Sequence, residues 1–338
     1  DEASRARLGQ WPWPRTQVAE LVNQLQQAGV AVIAFDVLFA EPDRTSPALL
    51  LQGQGLSDEL LSQLQTLPDH DAQLASALAA SNVVLGFAAE RRGASAELPL
   101  SRFGLATQGP SPVASLPHYA SAIRALPVLE QAASGTGALT FEPDTDGVVR
   151  KVPLLIALGD QPRPSLVAEA LRVAQRGGLY RVHTGEAGVE RIDIGRVQIP
   201  TNHRGELWVH FTPPQAARSI AAWQVLAGQG GEGLRGSIAL IGTSAQGLQD
   251  LRFSPLGGIV PGVEVHAQAL EQILSGDYLQ RPGWARAVEA LALLFGGVLV
   301  GLLALGLRAL PAALLTVLVI AALNGLAWYA FSHERLLL

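Results

Sequence analysis

Hydrophobic positions along the chain alternate between helix-like and strand-like patterns. Residues 16–28 carry apolar side chains at helical spacing, and Gly29 follows where a helix-ending glycine is common. The apolar run Val30 to Ala34 has the length of a buried strand. A second predicted helix, Asp69 to Ser81, leads into a second apolar, β-branched run, Asn82 to Ala89. Because neighbouring parallel strands need a crossover connection, this alternation predicts an α/β layer with mostly parallel strands.

Later segments add antiparallel features to this sheet. The stretches 136–141 and 148–158 flank an Asp-Gly turn, which predicts an antiparallel hairpin. Helix then strand then helix recurs toward the end of the α/β part, and residues 91–135 give no clear pattern. The fold predicted is a mixed, mostly parallel sheet flanked by helices, with an antiparallel hairpin section. Further predicted helices are 57–67, 164–176, 219–227 and 262–275, and further predicted strands lie within 179–200, 206–211 and 237–241.

Two long apolar tracts follow the α/β part. Ala290 to Leu307 contains 18 residues without a charge, and Ala309 to Phe331 is uncharged as well. About 20 apolar residues are needed to cross a bilayer as a helix. We therefore predict an α/β domain at residues 1–280, then a transmembrane helical hairpin of spans 285–308 and 309–331. The alternative is a buried helical hairpin of a soluble protein.

Composition removes several classes of function. The net charge of −5 offers no basic surface for DNA or RNA, so no nucleic acid partner is expected. The chain has no cysteine, which excludes disulfides and thiolate chemistry. It has no glycine-rich nucleotide loop and no metalloprotease motif, so we predict no cofactor. GTSAQ, residues 242–246, lacks the second glycine of a serine-hydrolase elbow, and no catalytic residue is assigned.

Carboxylates are concentrated just after the first predicted strand. FDVLFAEPD, residues 35–43, places Asp36, Glu41 and Asp43 at the carboxyl end of that strand, where open α/β sheets bind ligands. Ser244 and Asp250 lie in the loop after the strand 237–241, and we expect the two loops to face each other. Crowded carboxylates are costly unless they meet a cation, a donor array or a proton. The sequence therefore predicts a ligand-binding site here. In the alternative, Asp36 bonds backbone and residues 41–43 form a solvated turn.

His266 is a sixth candidate ligand-binding residue, since it lies on the apolar face of the predicted helix 262–275. It is either a hydrogen-bonded core histidine or a ligand or pH-sensitive group that meets the carboxylates. Asp144 and Asp146 in DTDG resemble part of a calcium loop, although a hairpin turn explains them as well, and Arg150 is positioned to pair with one of them. The metal, if any, is unknown, and its candidate ligands are Asp36, Asp43, Asp144, Asp146 and His266.

Six separated motifs together resemble the CHASE sensor domains of the second type, sensing extracellular domains that are associated with cyclases and histidine kinases. They occur in the order typical of that family and cover nearly all of residues 1–284. The motifs are WPWPR (11–15), FDVLFAEPD (35–43), PDTDGVVRKVPLL (143–155), PSLVAEAL (164–171), IALIGTSAQGLQD (238–250) and PGVEVHAQALEQILSG (261–276).

The resemblance implies a bacterial receptor of the inner (cytoplasmic) membrane with its sensor domain on the periplasmic side. It also implies that an N-terminal strand and membrane helix precede this chain, and that a third helix and an output domain follow it. An adenylate or guanylate cyclase is the expected output. A histidine or serine/threonine kinase, a membrane-anchored hydrolase and an envelope partner-binding module are the alternatives. Expected partners are an unknown small ligand, ion or periplasmic protein, membrane lipid and a second copy in a homodimer.

Overall fold

The computed structural model describes residues 1–50, 67, 69–93, 97–213, 215–244 and 251–337 of the 338-residue chain. The chain divides into an α/β unit, Asp1–Ser275, and a helical unit, Gly276–Leu338. Apart from Leu67, the helix predicted at 57–67 lies outside the described residues.

Helices and strands of the α/β unit are numbered in chain order. The helices are α1 (Glu2–Leu8), α2 (Arg15–Gln27), α3 (Pro47–Leu50), α4 (His70–Ala79), α5 (Pro127–Ala132), α6 (Leu166–Ala174), α7 (Ala222–Leu226) and α8 (Gly262–Ser275). The strands are β1 (Val32–Asp36), β2 (Val83–Glu90), β3 (Gly104–Gln108), β4 (His118–Tyr119), β5 (Ser121–Ile123), β6 (Gly135–Ala138), β7 (Lys151–Pro153), β8 (Leu155–Leu158), β9 (Gln161–Pro164), β10 (Leu179–Gly185), β11 (Gly188–Ile194), β12 (Val197–Pro200), β13 (Glu206–Trp208), β14 (Ile238–Gly242), β15 (Leu251–Phe253) and β16 (Ile259–Pro261).

The central sheet has the order β14-β1-β2-β5, and β6 also pairs with β2. The pairs β1–β14, β1–β2 and β2–β6 are parallel, and β2–β5 is antiparallel. Successive residues of β1 point to opposite faces, so Ile33 and Phe35 pack with α2 and α4, while Val32 and Ala34 pack with α6. Burial on both faces explains why β1 and β2 read as continuous apolar runs. The predicted mixed, mostly parallel sheet flanked by helices is confirmed.

Smaller sheets surround this layer. One has the order β12-β11-β10-β3, in which β10 pairs antiparallel with β11 and parallel with β3. The strands β4, β8 and β9 form another, and β7–β13 and β15–β16 are antiparallel pairs. The region 91–135, where the sequence gives no pattern, contains β3, β4, β5 and α5.

The hairpin predicted from the stretches 136–141 and 148–158 is wrong in its pairing. Its turn exists, because the Gly147 N–H donates to the Asp144 carbonyl and the Asp144 N–H donates to the Val148 carbonyl. The flanking strands separate, however: β6 is parallel to β2, and β7 pairs with β13. All four residues of β6 are buried, and its glycine-rich backbone can approach α6, since a Cβ on Gly137 would lie 2.6 Å from the Cα of Leu166. Tertiary packing therefore overrides the local hairpin signal.

The helical unit contains α9 (Ala285–Gly306) and α10 (Ala309–Glu334). The segments Ala287–Gly306 and Ala309–Glu334, with mean hydropathies of 2.4 and 2.1, are long and apolar enough to cross a membrane. Within this unit, the Gln280 N–H donates to the carbonyl of Arg335, and Arg335 Nε lies 2.9 Å from Asp277 Oδ1. The segment after α10 thus bonds the segment that precedes α9.

Candidate functional site

The carboxyl ends of β1 and β14 meet at one edge of the central sheet, where Asp36 is the register partner of Gly242. Helix α8 approaches this edge closely, because a Cβ on Gly242 would lie only 2.5 Å from Val263 Cβ. A side chain larger than hydrogen at position 242 would therefore displace α8. The ends of these two strands lie side by side. Residues 245–250 of the second loop lie outside the described part of the chain, so the expectation that the two loops face each other stays a prediction.

The first turns of α8 bring His266 against Asp36. The Nε2 atom of His266 is 3.9 Å from Asp36 Oδ1, and both side chains are buried. This separation is too long for a direct hydrogen bond. By strict distance and angle neither ring nitrogen of His266 makes a hydrogen bond within the described residues, although the backbone of Leu139 lies close enough to interact with the imidazole.

Burial lowers the pKa of His266 to about 4, and the positive charge of Arg252 lowers it further. The nearby backbone carbonyl of Leu139 offsets part of this effect. The imidazole is therefore neutral at physiological pH. A neutral imidazole beside a carboxylate can accept a hydrogen bond or ligate a cation, so the pair can bind either a polar donor or an ion.

Two side chains that sequence reasoning missed complete this site. The ring of Phe141 packs edge-on against His266, with centroids 5.1 Å apart. The guanidinium carbon of Arg252 lies 5.6 Å from the centroid of the Phe141 ring. Phe141 and Arg252 come from separate segments outside the family motifs, whereas the motifs that contain Asp36 and His266 signalled the site. We call His266, Asp36, Phe141 and Arg252 the edge site.

Asp43 lies in a different place and has a structural role. Its Oδ2 accepts a 2.7 Å hydrogen bond from the Arg15 N–H, at the first residue of α2, and its Oδ1 accepts one from the Thr45 N–H. His70 Nδ1 is 3.3 Å from Oδ2. Burial alone would raise the pKa of Asp43, but these hydrogen bonds outweigh it and lower the pKa. Asp43 thus caps α2, whose N-cap residue Pro14 offers no side-chain acceptor.

We predict that Asp43→Ala lowers the free energy of unfolding by about 2 kcal/mol, because it removes a helix cap and leaves buried donors unpaired. Glu41→Ala is the matched control: this side chain is exposed, and in the described part of the chain the hydrogen bond of Glu41 is made by its backbone carbonyl, which accepts from Arg15. Its effect should stay within about 0.5 kcal/mol. Urea unfolding followed by tryptophan fluorescence measures both, and equal effects of the two substitutions would contradict the capping role.

The other candidate residues are dispersed. Asp144 and Asp146 both bond Arg150, and Asp144 also lies 2.7 Å from Lys151 Nζ, so the expected Arg150 pairing is present. Ser244 is exposed just after β14, and Asp250 lies outside the described residues. Of the five candidate metal ligands, Asp36 and His266 are brought together from distant segments, and Asp144 and Asp146 share Arg150 within one turn. Within the ranges that the structure describes, no group of three or more His, Asp or Glu residues is arranged to hold a metal ion.

Comparison with known proteins identifies the family. The CHASE2 domain matches residues 1–305, which includes the α/β unit and all but the last residue of α9. The chain belongs to the CHASE2 domain family. It is a CHASE2 sensor domain with two C-terminal helices suited to membrane anchoring, the first of which lies almost entirely within the match. Neither a curated protein nor a solved structure matches the chain.

The CHASE2 domain also contains a buried ionic group that sequence reasoning missed. In α6, Arg172 donates two hydrogen bonds to Glu169, of 2.9 and 2.6 Å, and the Tyr180 hydroxyl donates a 2.7 Å bond to the same carboxylate. Arg172 also bonds the carbonyls of Gly177 and Ser134. The i,i+3 spacing of Glu169 and Arg172 was an available signal. This group connects α6 to β10 and to the start of β6.

Proposed function

We propose that this chain is the extracytoplasmic sensor and membrane anchor of a bacterial transmembrane receptor. In this proposal the α/β unit lies on the periplasmic side of the inner membrane, and an adenylate or guanylate cyclase on the cytoplasmic side is the output. The observation that carries it is the CHASE2 match, which continues from the α/β unit into the first apolar helix. A sensor fused directly to a span can pass a change of conformation to that span.

The edge site is the proposed place of stimulus binding. Support comes from a fully buried histidine whose ring nitrogens have only the backbone of Leu139 nearby and no hydrogen bond of strict geometry in the described residues. It lies beside a buried carboxylate at the sheet edge where α/β folds bind ligands. The proposed stimulus is a small polar ligand, an ion or a group presented by a periplasmic protein. No cofactor is required for this role. Binding shifts a two-state equilibrium only if the ligand has different affinities for the two states.

Signal transfer is proposed to run through α8. Ser275 ends this helix, and the helical unit begins at Gly276, only nine residues before α9 starts at Ala285. The edge site includes His266 on the same helix, so a displacement of its first turns is passed along a rigid element. We further propose that two copies of the chain act together, as a homodimer in the lipid bilayer.

Single cysteines test the proposed orientation, since the chain has no cysteine of its own. Leu179 in β10 and Leu307 between the two apolar helices are both 41% exposed, which makes them a matched pair. In intact cells with a permeable outer membrane, a membrane-impermeant maleimide should label Leu179→Cys and leave Leu307→Cys unlabelled. After lysis both should react. Labelling of Leu307→Cys alone before lysis would invert the orientation and defeat the receptor proposal.

A further inference from the structure

The β15–β16 hairpin exposes an uncharged apolar face. Leu251, Phe253, Leu256 and Ile259 are each between 49 and 58% exposed. Phe253 and Ile259 are direct cross-strand partners, and Leu251 lies two residues before Phe253, so these three share one face. Leu256 lies in the connecting turn. We call these four side chains the hairpin face.

The opposite side of the same hairpin is turned toward the edge site. Arg252, between Leu251 and Phe253, has its guanidinium group near the ring of Phe141, which packs on His266. The hairpin is held to the rest of the domain along β15, where the Val149 N–H donates to the carbonyl of Phe253. Within the described residues, β16 pairs only with β15. One short element thus contacts the edge site on one side and is exposed on the other.

We propose that the hairpin face is the contact between two copies of this chain, and that it couples the edge site to their association. This inference rests on the proposed receptor function and names the surface used by its homodimer. The largest exposed apolar patch of a typical domain covers about 300–600 Å² and often has a binding function. The hairpin face carries no charged side chain, so two such faces can meet across a two-fold axis without like-charge repulsion.

The size of the hairpin face fits a second tethered copy. Four half-exposed side chains offer roughly 400 Å², about half of the roughly 800 Å² that each partner buries in a standard interface. Such a contact is too small for a stable dimer in dilute solution. Confinement of both copies to one membrane raises their effective concentration, so a weak and reversible contact suffices. A reversible contact is also what a signal-dependent rearrangement requires.

Cross-linking of single-cysteine variants tests this surface in membranes that contain the whole chain. With a short bismaleimide, Phe253→Cys should form homodimers at least roughly tenfold faster than Ile123→Cys, because specific contact raises the effective concentration. Ile123 is a matched control, since it is an apolar strand residue, 41% exposed, in β5. Adding Ile259→Asp to Phe253→Cys should remove the advantage, whereas adding Leu179→Asp should not.

Several results would overturn the proposal. Equal cross-linking rates for Phe253→Cys and Ile123→Cys would indicate random collision. A cross-linked product whose mass includes a different protein would show that the hairpin face binds that protein and not a second copy. Faster cross-linking at Ile123→Cys would place the dimer contact elsewhere, while the receptor function would stand. Failure of the maleimide orientation test would remove the receptor function without affecting a dimer formed through the hairpin face, so the two failures are distinguishable.

Discussion

Replacing Arg172 by leucine is expected to lower the free energy of unfolding of the α/β unit by about 3–5 kcal/mol, the range measured when one partner of a buried ion pair is removed. Arg172 and Glu169 are both buried, and Arg172 supplies two of the hydrogen bonds to the carboxylate. Without the guanidinium group, Glu169 would either remain charged in a site of low dielectric or take up a proton. Both outcomes are costly.

The polar surroundings of this group explain why the loss should be so large. Burial alone would lower the pKa of Arg172, but its hydrogen bonds to Glu169 raise the pKa above the ordinary value. Burial raises the pKa of Tyr180 well above its usual range, and the negative charge of Glu169 raises it further. Glu169 is also enclosed by backbone, since a Cβ on Gly135 would lie 2.0 Å from its Oε1.

Urea unfolding of the detergent-solubilised chain, followed by tryptophan fluorescence, measures this loss. Tyr180→Phe removes one hydrogen bond to the carboxylate and should cost about 1.5–3 kcal/mol, less than Arg172→Leu. Arg5→Leu is the control for an exposed ion pair, because Arg5 and Glu2 are both about half exposed. It should change stability by under about 1 kcal/mol. If Arg172→Leu were as mild as Arg5→Leu, the buried group would not stabilise the domain.

Elements with strong local patterns were predictable from sequence. The apolar runs of β1 and β2 and the apolar face of α8 mark segments whose burial is set by their own residues, and α8 begins and ends where it was expected. The pairing of β6 was not predictable, because the Asp-Gly turn that follows it has the same local signature in a hairpin and in a connection between sheets. Strand partners depend on long-range packing that a short segment does not encode.

The candidate site also contains residues that were predictable from sequence and residues that were not. The sheet-edge rule correctly brought Asp36 and the end of β14 together, and the helical face of α8 placed His266 in the interior. Spacing along the chain could not separate Asp43 from Asp36, although the chain turns between them and Asp43 caps α2. The arginine that stacks near Phe141 had no detectable signal, since its partner lies more than a hundred residues away. Residues close in sequence therefore did not belong to one site, and residues distant in sequence did.

Acidification from pH 6.5 to 4 is expected to destabilise the α/β unit through His266 by up to about 3 kcal/mol. The pKa of this histidine is about 4 in the folded protein, chiefly because of burial, and about 6.5 in the unfolded chain. Between these values the unfolded state binds more protons, so stability is complete above pH 6.5 and falls as the pH decreases toward 4. Below pH 4 both states are protonated at this site, and no further loss arises from it.

The other groups with shifted pKa values near this range do not imitate the histidine. Burial raises the pKa of Glu130 above its ordinary value, so protonation of Glu130 opposes the loss of stability on acidification. Burial tends to raise the pKa values of Asp43 and Glu142, but their hydrogen bonds lower both below the ordinary carboxyl values. Their contributions are present at neutral pH and are lost as the pH falls through those lowered values, at the acidic side of the histidine range. Around His266 itself, the charged groups are Asp36, at 3.9 Å, and Arg252. A loss of stability that is already present near pH 5.5 therefore reports mainly on histidine.

Unfolding free energies measured from pH 7.5 to 4 in wild type and His266→Leu test this assignment. Across that range the free energy of unfolding of wild type should fall by about 3 kcal/mol relative to that of His266→Leu, because the variant has no buried imidazole to protonate. His118→Gln, at an exposed position of β4, is measured alongside as a control for the removal of an imidazole from the surface. Parallel profiles for wild type and His266→Leu would mean that His266 takes up its proton without unfolding. The edge site would then already hold a group, such as Asp36, that stabilises the imidazolium ion, and its neutral-imidazole chemistry would have to be abandoned.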